Sequence, residues 1–226
     1  MTRSEASLFE ELLGQAKQAL DGVAESPDGD PQYYADRIDT SRELGSPRRE
    51  IDSYFKKGQA IDATYASLYV AMARCLQARW GGSSAEFPTF AQEAARAGGE
   101  GMYARVAYLG AAMEGRRFKS TYPSFEWPRL RLALEGLLEK YPASGLFWNL
   151  LAWFGCHYGD GATAKRAMDK LQPPNDKTSF DIWSWKTKNF TQCKDWAQSG
   201  AKPDELPPLG RAVTPTAPVQ PRMGVQ

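Results

Sequence analysis

Residues 127–171 read WPRLRLALEGLLEKYPASGLFWNLLAWFGCHYGDGATAKRAMDKL, three helical segments cut apart by two turns. In the first segment Leu130, Leu134, Leu137, Leu138 and Tyr141 recur at three and four residues, the spacing of one helix face. Pro128 suits the first turn of that helix. Tyr141-Pro142 ends it, because a residue before proline is pushed out of the α region. The run from Leu146 to Tyr158 is apolar almost all round, which predicts a buried helix between two neighbours. Asp160 is placed to cap a third helix, whose Ala164, Ala167, Met168 and Leu171 share one side. Helix, turn and helix of this kind stack on further copies, so the stretch points to an all-α fold.

Outward from that stretch the same grammar recurs. An N-terminal helix is expected over about 3–24, with Phe9, Leu12, Leu13, Ala16, Leu20 and Val23 in one stripe; Thr2/Glu5 and Ser7/Glu10 both match a capping box, which leaves its start open. Asp30-Pro31 and Gly45-Ser46-Pro47 each open a short, highly charged helix. From Ala63 to Arg79 the residues Tyr65, Leu68, Tyr69, Met72, Cys75 and Leu76 keep helical spacing, and Trp80-Gly81-Gly82 closes the segment. Ser83 and Glu86 form a capping box for a helix carrying Phe87, Phe90, Ala91, Ala94 and Ala95; another helix is expected over Met102–Met113. Two short helices are expected at Phe180–Trp185 and Phe190–Trp196, where Trp183, Trp185 and Trp196 read as core closure, with an exposed aromatic interaction patch as the alternative. No segment alternates with the period of two that a strand requires. The expected architecture is a TPR-like helical-repeat solenoid of stacked antiparallel helix pairs. Residues 1–60 form N-terminal helices packing on the array, 61–200 the repeat domain, and 201–226 a proline-rich extended or disordered tail.

Composition narrows the function classes. With 28 Lys+Arg against 27 Asp+Glu the chain has no global field to draw nucleic acid or anionic lipid. The basic spots Arg48, Arg49, Lys56, Lys57 and Arg116-Arg117-Phe118-Lys119 read as solvated surface. The longest apolar run, Gly145–Cys156, is shorter than the roughly 20 residues of a spanning helix. The cysteines, Cys75, Cys156 and Cys193, are three in number and widely separated, each in an apolar helical context; they read as free core residues of a reducing, cytoplasmic compartment.

Chemistry-bearing patterns are sparse. His157 is the single histidine, which removes most histidine metal sites and leaves it as a buried helix-end residue whose positive charge would offset the dipole. The pairs Glu10/Glu11 and Glu135/Glu139 read as solvated charge, Asp28-Gly29-Asp30 lacks the rest of a calcium loop, and Gly81-Gly82-Ser83 is not followed by a P-loop lysine. No metal or cofactor is expected, and no enzyme activity.

The helix pairs 63–79 with 84–97 and 145–158 with 161–171 share a plan, a bulky first helix and an alanine-rich second one. In the second pair Trp148, Leu151, Ala152, Ala164 and Met168 resemble a tetratricopeptide repeat, with Gly155 where that repeat prefers an aromatic residue. A wider likeness, over about 60–172, rests on Arg79-Trp80-Gly81-Gly82-Ser83, Phe90, Ala94-Ala95, Tyr103-Ala104-Arg105-Val106, Tyr141-Pro142 and Asn149 ahead of Gly159-Asp160. These residues resemble a bacterial domain-of-unknown-function family with tetratricopeptide- and Sel1-like repeats. The resemblance implies a helical-repeat fold and carries no activity with it.

The expected function is therefore a non-enzymatic module that binds a protein partner, not nucleic acid or membrane, through a concave helical surface. A bacterial toxin-immunity or adaptor protein is its sharper form; an enzyme with an acidic cleft between helices is the alternative. On the concave surface the first helix of each pair would present Tyr69, Tyr103, Arg105, Asn149 and His157, with Trp153 at the border. Asn149 stands out, because an amide in so apolar a helix must find a hydrogen-bond partner or cost stability; it either contacts the partner or bonds a neighbouring helix and fixes repeat packing.

Overall fold

Helix boundaries in this chain are set by prolines and by short polar side chains, as the sequence leads one to expect. Asp30 accepts the Gln32 backbone N–H at 2.8 Å, with Pro31 in the first turn. Pro128 sits in the first turn of the helix from Trp127, and the helix ends at Lys140, ahead of Tyr141-Pro142. Ser144 accepts from the Phe147 N–H, and Asp160 from the Thr163 N–H at 3.0 Å, each capping the helix that follows. The computed structural model describes residues 3–23, 29–83, 85–115, 125–171, 183 and 187–200. The expected tail at 201–226, the helix at 180–185 apart from Trp183, the basic run 116–119 and the Thr2 cap lie outside these residues.

Among the described residues there are ten α-helices and no strand: α1 (Arg3–Asp21), α2 (Pro31–Glu43), α3 (Arg48–Ile61), α4 (Ala66–Cys75), α5 (Glu86–Gly98), α6 (Glu100–Gly115), α7 (Trp127–Lys140), α8 (Gly145–His157), α9 (Gly161–Lys170) and α10 (Thr187–Gln198). None is long and apolar enough to cross a membrane. The chain divides into two compact units, Met1–Glu114 and Gly115–Gln226, so the division falls inside the span expected to be one array. The boundary expected near residue 60 lies between α3 and α4, which pack on each other and, with α2, form the centre of the first unit.

In the first unit α2, α3 and α4 meet at Gly58. A Cβ there would lie 2.7 Å from the end of the Leu68 side chain and 3.1 Å from the Tyr34 Cβ, so a larger residue would make Leu68 shift. Helix α4 is shorter than the sequence spacing suggested. It stops at Cys75, and Ala78–Trp80 forms a 3₁₀ turn that ends on Gly81 in the left-handed region, φ 79°. The Arg-Trp-Gly-Gly-Ser block builds this corner. A Cβ on Gly82 would lie 2.4 Å from the Leu76 backbone, and the Trp80 ring has the guanidinium groups of Arg42 and Arg79 at 5.3 and 5.4 Å. Arg42 is buried, paired with Asp39 and with Glu43 at 2.6 Å, while Arg74 reaches the same Asp39 at 2.7 Å. Ser83 donates its backbone N–H to Glu86 at 2.7 Å, the returning half of the expected capping box.

Helix α1 departs from expectation. Its stripe is not covered: Phe9, Leu12 and Val23 are 45%, 53% and 54% exposed. The helix is held near its C-terminal end, where Arg37 bonds the Leu20 carbonyl at 2.9 Å and pairs with Asp21.

In the second unit α8 is the buried helix, with Leu150 to His157 all inside. Helix α7 lays Leu130, Leu134, Leu137 and Leu138 inward, while Tyr141, expected on that stripe, is 41% exposed because the helix has already ended. Gly155 has a packing reason: a Cβ there would lie 2.9 Å from the Ala164 backbone nitrogen, so an aromatic residue would force α9 away from α8. Asp160 ties the end of this hairpin to α7 by accepting from the Trp127 indole at 3.1 Å.

The cysteines correct the sequence expectation. Cys75 is free and buried, but Cys156 in α8 and Cys193 in α10 form a disulfide, Cα atoms 6.0 Å apart, neither with any exposure. Cysteine usage therefore no longer speaks for a reducing compartment.

Candidate functional site

Five of the six residues expected on a contact surface are buried. Tyr69, Tyr103, Asn149, Trp153 and His157 are 0–5% exposed, and Arg105 is half-buried. This burial differs from the outward placement expected of them as a contact surface. Asn149 shows why. Its Nδ2 donates to the Gly145 carbonyl one turn back at 2.8 Å, and its Oδ1 accepts from the Trp183 indole N–H at 2.9 Å. The amide thus ties Trp183, 2% exposed and packed edge-on against Phe190 of α10, into the core. Core closure by tryptophan, expected from the sequence, is seen at Trp183; Trp196 is half-buried and Trp185 lies outside the described residues. Asn149→Ala removes the acceptor of a buried indole and should lower unfolding free energy by about 1–3 kcal/mol. Denaturant titration checks this, and a midpoint equal to wild type would refute it.

His157 stacks flat on Trp153, centroids 5.1 Å apart and planes 7° apart. Burial pushes its pKa down to about 4, so the ring is neutral at neutral pH and does not place a positive charge on the helix end as expected. Cys75 is pushed up to about 11 by burial, which leaves the thiol protonated and inert as a nucleophile. Asp160 is held below the usual carboxylate range: burial works against this, but hydrogen bonds from Thr163 and Trp127 and the Arg131 charge outweigh it. Among the described residues no group of three or more His, Cys, Asp or Glu side chains is arranged to hold a metal ion.

Among the described residues a concave feature lies in the first unit. Helices α3, α4 and α5 enclose a groove of about 510 Å³. Met72 of α4 and Leu76, just past its end, give it a floor, which Phe55 of α3 and Phe90 of α5 extend. All four are at most 9% exposed. Tyr69 sits under this floor. Its ring is 5.3 Å from Phe55 and 5.9 Å from Phe90, and its hydroxyl donates to the Ala63 carbonyl at 2.7 Å and accepts from Gln59 at 3.0 Å. It supports the floor without lining it.

The walls are charged. On α3 stand Arg48, Asp52 and Lys56, four residues apart and hence on one face; on α5 stand Glu86, Thr89 and Glu93. Arg48 donates to Asp52 at 2.8 Å and reaches across to Glu86 at 3.5 Å, which bridges one end of the groove. Phe55 and Phe90, 5.5 Å apart, meet further along the same two helices, so α3 and α5 run in the same direction with α4 returning between them. Beyond the aromatic pair Lys56 and Glu93 are exposed, and neither has an ion-pair partner among the described residues.

Sequence reasoning treated Arg48 and Lys56 as solvated surface and Glu86 as a cap. A findable signal was present: Arg48, Asp52 and Lys56 share a face adjoining Phe55, a charged row beside an aromatic. That α5 places Glu86 and Glu93 opposite is a tertiary fact with no local trace. No family model, curated protein or solved structure matches this chain.

Proposed function

We propose that this chain is a non-catalytic protein-interaction module of stacked, TPR-like helix pairs that seats a segment of a partner protein in the α3–α4–α5 groove. The observation that carries this is the groove's make-up, an apolar aromatic floor between two charged walls, which matches the anatomy of an interaction surface with a hydrophobic centre and polar rim. The run of α3, α4 and α5, with outer helices in one direction and the middle one reversed, suits stacked helix pairs. Two of the three groove carboxylates, Asp52 and Glu86, are taken up by Arg48, and Glu86 also by the Ser83 N–H. That speaks for rim pairing over acid–base chemistry. An adaptor or toxin-neutralising role in a bacterial secreted-toxin system is the sharper form of this reading.

The test is to fill the groove. Thr89 is an exposed wall residue, so Thr89→Trp should place an indole over the floor and leave the fold intact. Affinity purification from cells of the source organism should recover a protein with the wild-type chain and lose it with the Trp variant. Equal recovery with both forms would overturn the reading.

A further inference from the structure

The two walls of the groove differ in sign at the end where Lys56 and Glu93 stand. On the α3 side Lys56 stands alone beyond the Arg48–Asp52 pair; on the α5 side Glu93 stands alone beyond Glu86. Both are exposed, both line the groove, and neither is neutralised by another described residue, although the charges at the other end are bridged by Arg48. Between them lie Phe55 and Phe90, the apolar part of the floor nearest that end. A groove so built offers one unsatisfied cation and one unsatisfied anion on opposite sides of an apolar slot.

We propose that the occupant is a peptide segment of bipolar charge. One apolar side chain enters over Phe55 and Phe90, an acidic side chain meets Lys56, and a basic side chain meets Glu93. This rests on the interaction-module reading and names the partner's chemistry. A uniformly acidic segment would meet Glu93 with like charge, and a uniformly basic one would meet Lys56, so electrostatics discriminates against both. An anionic membrane surface is disfavoured for the same reason. At the other end the charges already pair with one another, Arg48 meeting both Asp52 and Glu86.

A random twelve-residue peptide library displayed on phage, selected on the full-length chain, tests this. Two charge reversals at exposed positions, Lys56→Glu and Glu93→Lys, are selected in parallel, with circular dichroism confirming that each is folded. Wild type should enrich peptides carrying both an acidic and a basic residue around an apolar one. Lys56→Glu makes both walls acidic and should enrich basic peptides that have lost the acidic residue; Glu93→Lys should do the reverse. Comparing the three selections is independent of which way the peptide lies. A synthetic wild-type peptide should lose roughly tenfold in affinity on either reversal, and the loss should shrink in high salt. Peptides of the same charge content from all three forms would overturn the bipolar assignment and leave the interaction reading standing. Failure to enrich any peptide, with all forms folded, would overturn both.

Discussion

Reducing the Cys156–Cys193 bond should cost the second unit about 4 kcal/mol of unfolding free energy, by the chain-entropy relation for a loop of sequence separation 37. The bond joins α8, the most buried helix of that unit, to α10, which otherwise packs on α8 and α9 through noncovalent contacts. Cutting it lets the unfolded chain regain the entropy of an open loop, while the packed state loses little. Titration of thiols in the denatured, unreduced chain should find one, Cys75, and reduction should raise this to three. Cys193→Ala should reproduce the stability loss, whereas adding reductant to that variant should change nothing further. Three thiols in the unreduced denatured chain, or a denaturation midpoint indifferent to reductant, would show that the bond does not form. Both sulfurs have no exposure, so native-state reduction should be slow and track unfolding.

What could be read from the sequence was local. Proline and a short polar side chain fix where a helix begins whatever surrounds it, so Asp30-Pro31, Pro128, Tyr141-Pro142 and Asp160 fell where expected. The all-round apolar run of α8 could only be a buried helix. Three features escaped because they are set by partners distant in sequence. The stripe of α1 is as regular as that of α7, but periodicity shows only that a face exists; it does not show that anything covers it. The pairing of Cys156 with Cys193 depends on how α10 returns to α8. The polar residues within apolar helices were expected on an outer face because polarity usually marks one, and for Asn149 the sequence left partner contact and helix packing both open. Here a carbonyl on the same helix and a distant indole satisfy the amide, and it can sit in the core. The groove was missed in the same way, since no local pattern brings α5 carboxylates opposite α3 cations.

The second large effect is one of pH, and it centres on the residue next to Cys156. His157 is 3% exposed at the end of α8, pressed against Trp153, and its pKa is pushed down to about 4 from the ordinary 6.5 by burial. The unfolded chain therefore binds a proton on His157 between about pH 6.5 and 4 that the folded chain does not. Stability rises with pH wherever the unfolded state holds more protons, so this contribution is complete above pH 6.5 and lost as pH falls towards 4. The difference is worth about 3 kcal/mol in the second unit. Asp160, whose pKa is lowered, acts in a separate window: its contribution is present above the ordinary carboxylate value and disappears below it, after the histidine effect has run its course. His157→Phe keeps a flat ring on Trp153 and removes the proton. Chemical denaturation of the two forms at pH 7.5, 6, 5 and 4.5 should show wild type weakening steadily while the phenylalanine variant stays nearly level. Parallel pH profiles for the two proteins would mean that His157 protonates as readily in the folded chain as in the unfolded one. The α8 end would then be open to water, against the packing of Trp153, His157 and Tyr158 seen here.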